Sequence, residues 1–219
     1  LVLILAPPAL TTNAESSLQK ELNKELVKQL KKNYKKKKKE LEKDRWKIYG
    51  SSKTLEVALL EHYTKLYNDG EVAEEIIGTA DNFKSNNVGR RQAVTNAQVA
   101  YAQRAGAQVK ARIVEDIAAN SADINAEFEH FYAAYEAQVQ KEIGAELQES
   151  FTIVRPHTKS KKCNTYDMQV FFIISEDAAT RARVSAYENA LKESEAAQRY
   201  ADRVSQFIQE GISPSAPQN

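Results

Sequence analysis

The 219-residue sequence predicts an α+β fold: a small three-stranded sheet, made of one strand plus a β-hairpin, packed against long helices and preceded by an extended N-terminal helix. Three observations predict it. Seven glycines and five prolines among abundant Ala, Glu, Lys, Gln and Leu leave most segments free to be helical. Residues 151–155 and 166–174 are rich in aromatic and β-branched side chains and flank the polar loop 159–164, which is the chemistry of a hairpin. Between these landmarks the apolar residues recur at helical spacing.

The first fourteen residues open on an apolar run, Leu1 to Leu10, and end in the small and polar residues Thr11, Thr12, Asn13 and Ala14. That run is too short to cross a bilayer as a helix and reads as the end of a signal peptide. Cleavage after Ala14 would leave Glu15 as the mature terminus, so export to the periplasm or the outer membrane is expected. A lipidated anchor needs a cysteine directly after the run, and Cys163, the single cysteine, is far from it.

Residues 15–49 read as a separate lysine-rich helix. Leu18, Leu22, Leu26, Leu30 and Tyr34, four residues apart, make a narrow apolar seam that suits docking or self-association better than a core. Beside it stands the basic block Lys31, Lys32, Lys35, Lys36, Lys37, Lys38 and Lys39, partly balanced by Glu40, Glu42 and Asp44. Such a block is either a solvated helix flank or a contact for an anionic surface. The partner it implies is an anionic envelope surface or an envelope protein, and the seam implies a homo-oligomer.

Residues 50–211 read as the α+β domain. Gly50 ends the first helix and Ser52 caps an amphipathic second one, which closes at the turn signal Asp69-Gly70. Residues 72–79, with Ile76, Ile77 and Gly78, fit a short strand. An alanine-rich helix follows, in which Ala93, Ala97, Ala100, Ala107 and Ala111 allow close packing on its support. A helix over 124–147 carries Phe128, Phe131, Tyr132 and Tyr135, an aromatic stripe that is either core or the wall of a ligand pocket. The second hairpin strand is apolar on both faces near its end, which places it centrally in the sheet. A last helix over 176–209 precedes the Pro/Ser/Gln tail, 212–219, whose composition predicts disorder.

The succession Ile76-Ile77-Gly78-Thr79-Ala80, then Arg91-Gln92-Ala93-Val94-Thr95-Asn96-Ala97 and Ala107-Gln108-Val109-Lys110-Ala111-Arg112-Ile113, then the hairpin and terminal helix, resembles the small outer-membrane lipoprotein family of Gram-negative bacteria. The resemblance covers roughly residues 72–178. It implies a glycine-containing strand feeding a long Ala-rich helix, a later strand pair closing the sheet, an envelope location and no catalytic residues. The chain departs from that family in having no lipidation cysteine.

Other chemistry is thinly represented. With 31 basic and 30 acidic side chains there is no global charge for nucleic acid, and no nucleic-acid partner is expected. Glu127 and His130 have the Glu-x-x-His spacing of di-iron bundles, but the second pair those sites need is missing, so His130 is read as a packing residue beside Phe131. No Gly-x-Ser-x-Gly turn or phosphate loop is present, and the neighbours Glu74 and Glu75 point to opposite faces of a strand. Solvent exposure is the expectation for both. Neither a catalytic residue, a metal nor a cofactor is assigned. The expected function is a non-enzymatic binding or scaffold module of the envelope; the alternative is a small hydrolase or ligand-processing enzyme with a pocket between the sheet and the aromatic helix.

Overall fold

The computed structural model describes residues 12–68, 73–117, 122–160 and 162–209. Most of residues 1–14, expected to be a signal-peptide remnant, and the whole of the tail 212–219 lie outside those residues. The chain forms two compact units, Leu1–Arg45 and Trp46–Asn219.

In the first unit, α1 (Thr12–Lys43) runs unbroken through the lysine block. It ends where Arg45 adopts φ 62°, a left-handed conformation that stops helix propagation, with the Asp44 N–H donating to the Glu40 carbonyl. Within the predicted seam Leu30 is half-buried and Tyr34 buried, while the side chains of Leu18, Leu22 and Leu26 lie outside the described residues.

The second unit comprises β1 (Lys47–Tyr49), α2 (Leu55–Asn68), β2 (Ala73–Phe83), α3 (Asn86–Asp116), α4 (Ala122–Glu127), α5 (Glu129–Glu146), β3 (Gln148–Pro156), β4 (Tyr166–Ser175), α6 (Glu176–Leu191), α7 (Glu195–Arg199) and α8 (Ala201–Gln209). The strands form one antiparallel sheet in the order β1-β3-β4-β2. Four strands, not three, therefore make the sheet. The extra one was hidden in residues read as helix: Ile48 pairs with Ile153, and the Arg155 guanidinium lies 4.5 Å from the centre of the Trp46 ring. Lys47–Tyr49 thus belongs with the sheet, and the helical unit stops at Arg45 instead of at residue 49.

β4 is central, as its two-sided apolarity predicts. On one face Met168, Val170, Phe172 and Ile174 join a core with Ala93, Ala97 and Tyr101 of α3, Phe131, Tyr135 and Val139 of α5, and Ala182 and Ala186 of α6. On the other face Phe171 stacks on Phe151 with ring centres 4.3 Å apart, and His62 of α2 meets both rings edge-on.

Of the alanines expected to pack α3 on its support, Ala93 and Ala97 are buried, but Ala100, Ala107 and Ala111 face outward, and Ala102, Ala105 and Gly106 take the buried positions instead. Gly78 of β2 meets the Ala93 and Ala97 part of that face. A Cβ there would overlap the Ala93 carbonyl oxygen and stand 2.8 Å from its carbon and 3.0 Å from the Ala97 Cβ. Helix and strand are in backbone contact, so only hydrogen fits at this position.

Two predicted helices are broken. The aromatic helix divides at Phe128 into α4 and α5, and the last helix divides twice. Ser194 starts α7 by accepting a hydrogen bond from the Ala197 N–H, and the chain then redirects so that α8 buries Val204, Phe207 and Ile208. A single straight helix would have left that apolar stripe uncovered.

Candidate functional site

Lys31, Lys32, Lys35, Lys36 and Lys39 are exposed, whereas Lys37 and Lys38 are half-buried and pair with Glu40 and Glu42 at 3.7 and 4.0 Å. These one-turn pairs contribute at most about 0.5 kcal/mol each and leave most of the positive charge uncompensated. The block is therefore a cationic surface carried by α1.

The predicted pocket residues have a different fate. Phe128, Phe131 and Tyr135 are fully buried and Tyr132 is nearly so. Phe131 stacks on Tyr135 at 5.8 Å and Phe128 on Tyr132 at 6.0 Å, while Phe131 meets Tyr187 of α6 edge-on. Each such pair adds roughly 0.5–1.5 kcal/mol beyond burial, so the stripe is a filled core ladder rather than a groove wall. Burial pushes the Tyr132 hydroxyl up to about 12 and that of Tyr135 further in the same direction.

His130 is exposed instead of packed beside Phe131, and its partner in the Glu-x-x-His spacing, Glu127, is ion-paired to Arg199. Among the described residues no group of three or more His, Cys, Asp and Glu side chains could hold a metal ion. Glu74 and Glu75 do point to opposite faces, but both are half-buried and engaged: Glu74 with Arg104 of α3, Glu75 with Nε2 of His62 at 2.6 Å. Cross-element pairing, not solvent, accounts for them.

Two polar clusters escaped the sequence reading. The first centres on Arg183 of α6, only 2% exposed. Its Nη1 donates to the Tyr101 hydroxyl at 3.0 Å, its Nη2 to Glu176 Oε1 at 2.5 Å and Thr180 Oγ1 at 2.6 Å, and its Nε to the Ile208 carbonyl at 3.4 Å. Burial disfavours its charge, but the Tyr101 hydroxyl and the Glu176 carboxylate outweigh that and hold the guanidinium above its usual range. Arg112 donates to the neighbouring Phe207 carbonyl at 3.3 Å, so two arginines close the C-terminal end of α8. The helical period around Ala179, Ala182 and Ala186 marks the buried face on which Arg183 also falls, and that is the signal that could have found it.

The second cluster centres on Asp167 of β4, whose side chain is 3% exposed. It accepts from Arg155 Nε at 3.1 Å and from the Asn82 N–H at 3.1 Å, and lies 2.6 Å from His157 Nδ1. Burial works to raise its carboxyl, but the hydrogen bonds from His157, Asn82 and Arg155 prevail and hold it below the ordinary value of 3.8. A depressed carboxylate contributes stability that is whole above its unfolded value and lost as pH falls through the folded one. Stability is therefore expected to drop as pH falls below about 4. In urea titrations across that range Asp167→Asn should be weaker by about 2 kcal/mol at neutral pH and show a flatter acid limb. Parallel acid limbs would remove Asp167 from the account.

Cys163, in the hairpin loop, accepts from the Thr158 N–H at 3.4 Å and donates to the Thr165 carbonyl at 3.2 Å. The Thr158 hydroxyl and backbone together lower its thiol to about 6.

No protein-family model matches the chain, and neither a curated protein nor a solved structure matches it.

Proposed function

We propose that this chain is an exported envelope protein, periplasmic or associated with the outer membrane, that works as a non-enzymatic binding or scaffold module. The observation that carries the reading is the exposed lysine array on uninterrupted α1. The apolar start and the resemblance to small outer-membrane lipoproteins support the compartment. A hydrolase pocket at Phe128, Phe131, Tyr132 and Tyr135 finds no support, because those rings fill one another's space.

Replacing Lys35, Lys36, Lys37, Lys38 and Lys39 by Gln should weaken association with isolated envelopes by at least tenfold at low salt. The difference should shrink as the Debye length falls toward about 3 Å at 1 M salt. The measurement is sedimentation with envelopes over a salt series. Equal sedimentation of wild type and variant at every salt would sink the proposal.

A further inference from the structure

The five consecutive lysines face every direction around α1 and by themselves select no side of the helix. The residues upstream do. Lys20, Lys24 and Lys28 are all exposed, and on a helix they share a face with Lys31, Lys35 and Lys39 within an arc of about 100°. The six therefore make a straight basic stripe about 28 Å long. Acidic residues stay at its margins: Glu21 at one edge, Glu25 flanking it and reaching Lys28 at 3.4 Å, and Glu42 past its C-terminal end. Val27, 39% exposed, borders the stripe in a shallow depression lined by Lys24, Lys28 and Lys31.

This geometry points to a definite partner: α1 lies lengthwise on a bilayer that carries anionic phosphate headgroups, with the stripe against the phosphates and Val27 at the interface. The inference rests on the reading of α1 as an anionic contact and names what it touches. A plane of negative charge engages all six lysines at once because they lie within one face of a single helix. A flexible soluble polyanion has no need of one-sidedness and would be served equally by the block alone. Each lysine near such a surface adds to the attraction, and one exposed valine beside them is the kind of apolar residue that enters the headgroup boundary.

The test is co-sedimentation of the full chain with phosphatidylcholine vesicles containing phosphatidylglycerol, at physiological ionic strength. The stripe variant Lys20→Gln, Lys24→Gln, Lys28→Gln leaves the block intact and should lower the partition coefficient on the order of a hundredfold. A charge-matched variant off the stripe, Lys43→Gln, Lys47→Gln, Lys65→Gln, should stay within a few-fold of wild type. Equal loss in the two variants would show a response to net charge alone and overturn the stripe, while the lysine-block contact stands. A wild-type chain that ignores these vesicles but is retained on immobilised polyglutamate would overturn the lipid partner and keep the anionic contact. A chain bound by neither removes both.

Discussion

Gly78→Ala is expected to destabilise the α+β unit by about 3 kcal/mol, the upper end of the usual cost of overpacking. The sign is what makes the result informative. In an unconstrained strand the same change gains about 0.4–1 kcal/mol by restricting the unfolded chain, and Gly78 has no left-handed φ to forbid a side chain. The penalty comes from contact: the new methyl would overlap the Ala93 carbonyl, a backbone group of α3 that cannot rotate away, with Ala97 behind it. Relief requires lifting α3 off β2, which loosens the core formed with Ile76, Ala80 and Val170. Urea denaturation should show a lower midpoint with an unchanged slope. A midpoint at or above wild type would mean that α3 and β2 are not in backbone contact.

Arg183→Met should cost about 3–5 kcal/mol, the range for removing one partner from a buried charged network. Methionine fills much of the volume, so a void is not the main cause. The change leaves the Tyr101 hydroxyl without its donor, beside Tyr135, whose buried hydroxyl has no partner among the described residues, and leaves the Ile208 carbonyl unpaired. Glu176, whose side chain is 43% exposed, recovers its solvation in water and keeps the loss toward the lower end. Arg183→Lys should restore little, since a single ammonium cannot reach Tyr101, Thr180, Glu176 and the α8 carbonyl from one position. Hydrogen exchange should show α8 losing amide protection first, because its C-terminal carbonyls are held by Arg183 and Arg112. Wild-type protection of α8 in Arg183→Met would show that apolar packing of Val204, Phe207 and Ile208 suffices to hold it.

These expectations divide along what each residue's neighbours in the chain reveal. The hairpin, the central place of β4 and the small-residue face of α3 at Ala93 and Ala97 were legible because period, β-branching and residue size are local properties, whereas the strand that α3 rests on, and the outward turn of Ala100, Ala107 and Ala111, were not. β1 was not, since three residues after a long helix have no period of their own and become a strand only by pairing with residues 152–154. The aromatic stripe was visible as a stripe, but whether it lined a pocket depended on Tyr187 arriving from α6 and on the rings stacking face to face. Asp167 and Arg183 gave still less away, for each depends on a partner far along the chain: Asn82, 85 residues from Asp167, and Tyr101, 82 residues from Arg183.

By itself, then, the amino-acid order determined the α+β class, most of the helices, the hairpin and the presence of a dense cationic segment on an amphipathic helix. Those follow from propensity and periodicity, which act over a few residues. Only the tertiary structure decided the fourth strand, the breaks that create α5 and α8, the burial of the four aromatic rings, and the engagement of Glu74, Glu75, Asp167 and Arg183 in cross-element pairs. The reason is that a buried polar group is tolerable only where partners from elsewhere in the chain converge on it. That convergence is a property of the assembled fold, which no single segment encodes.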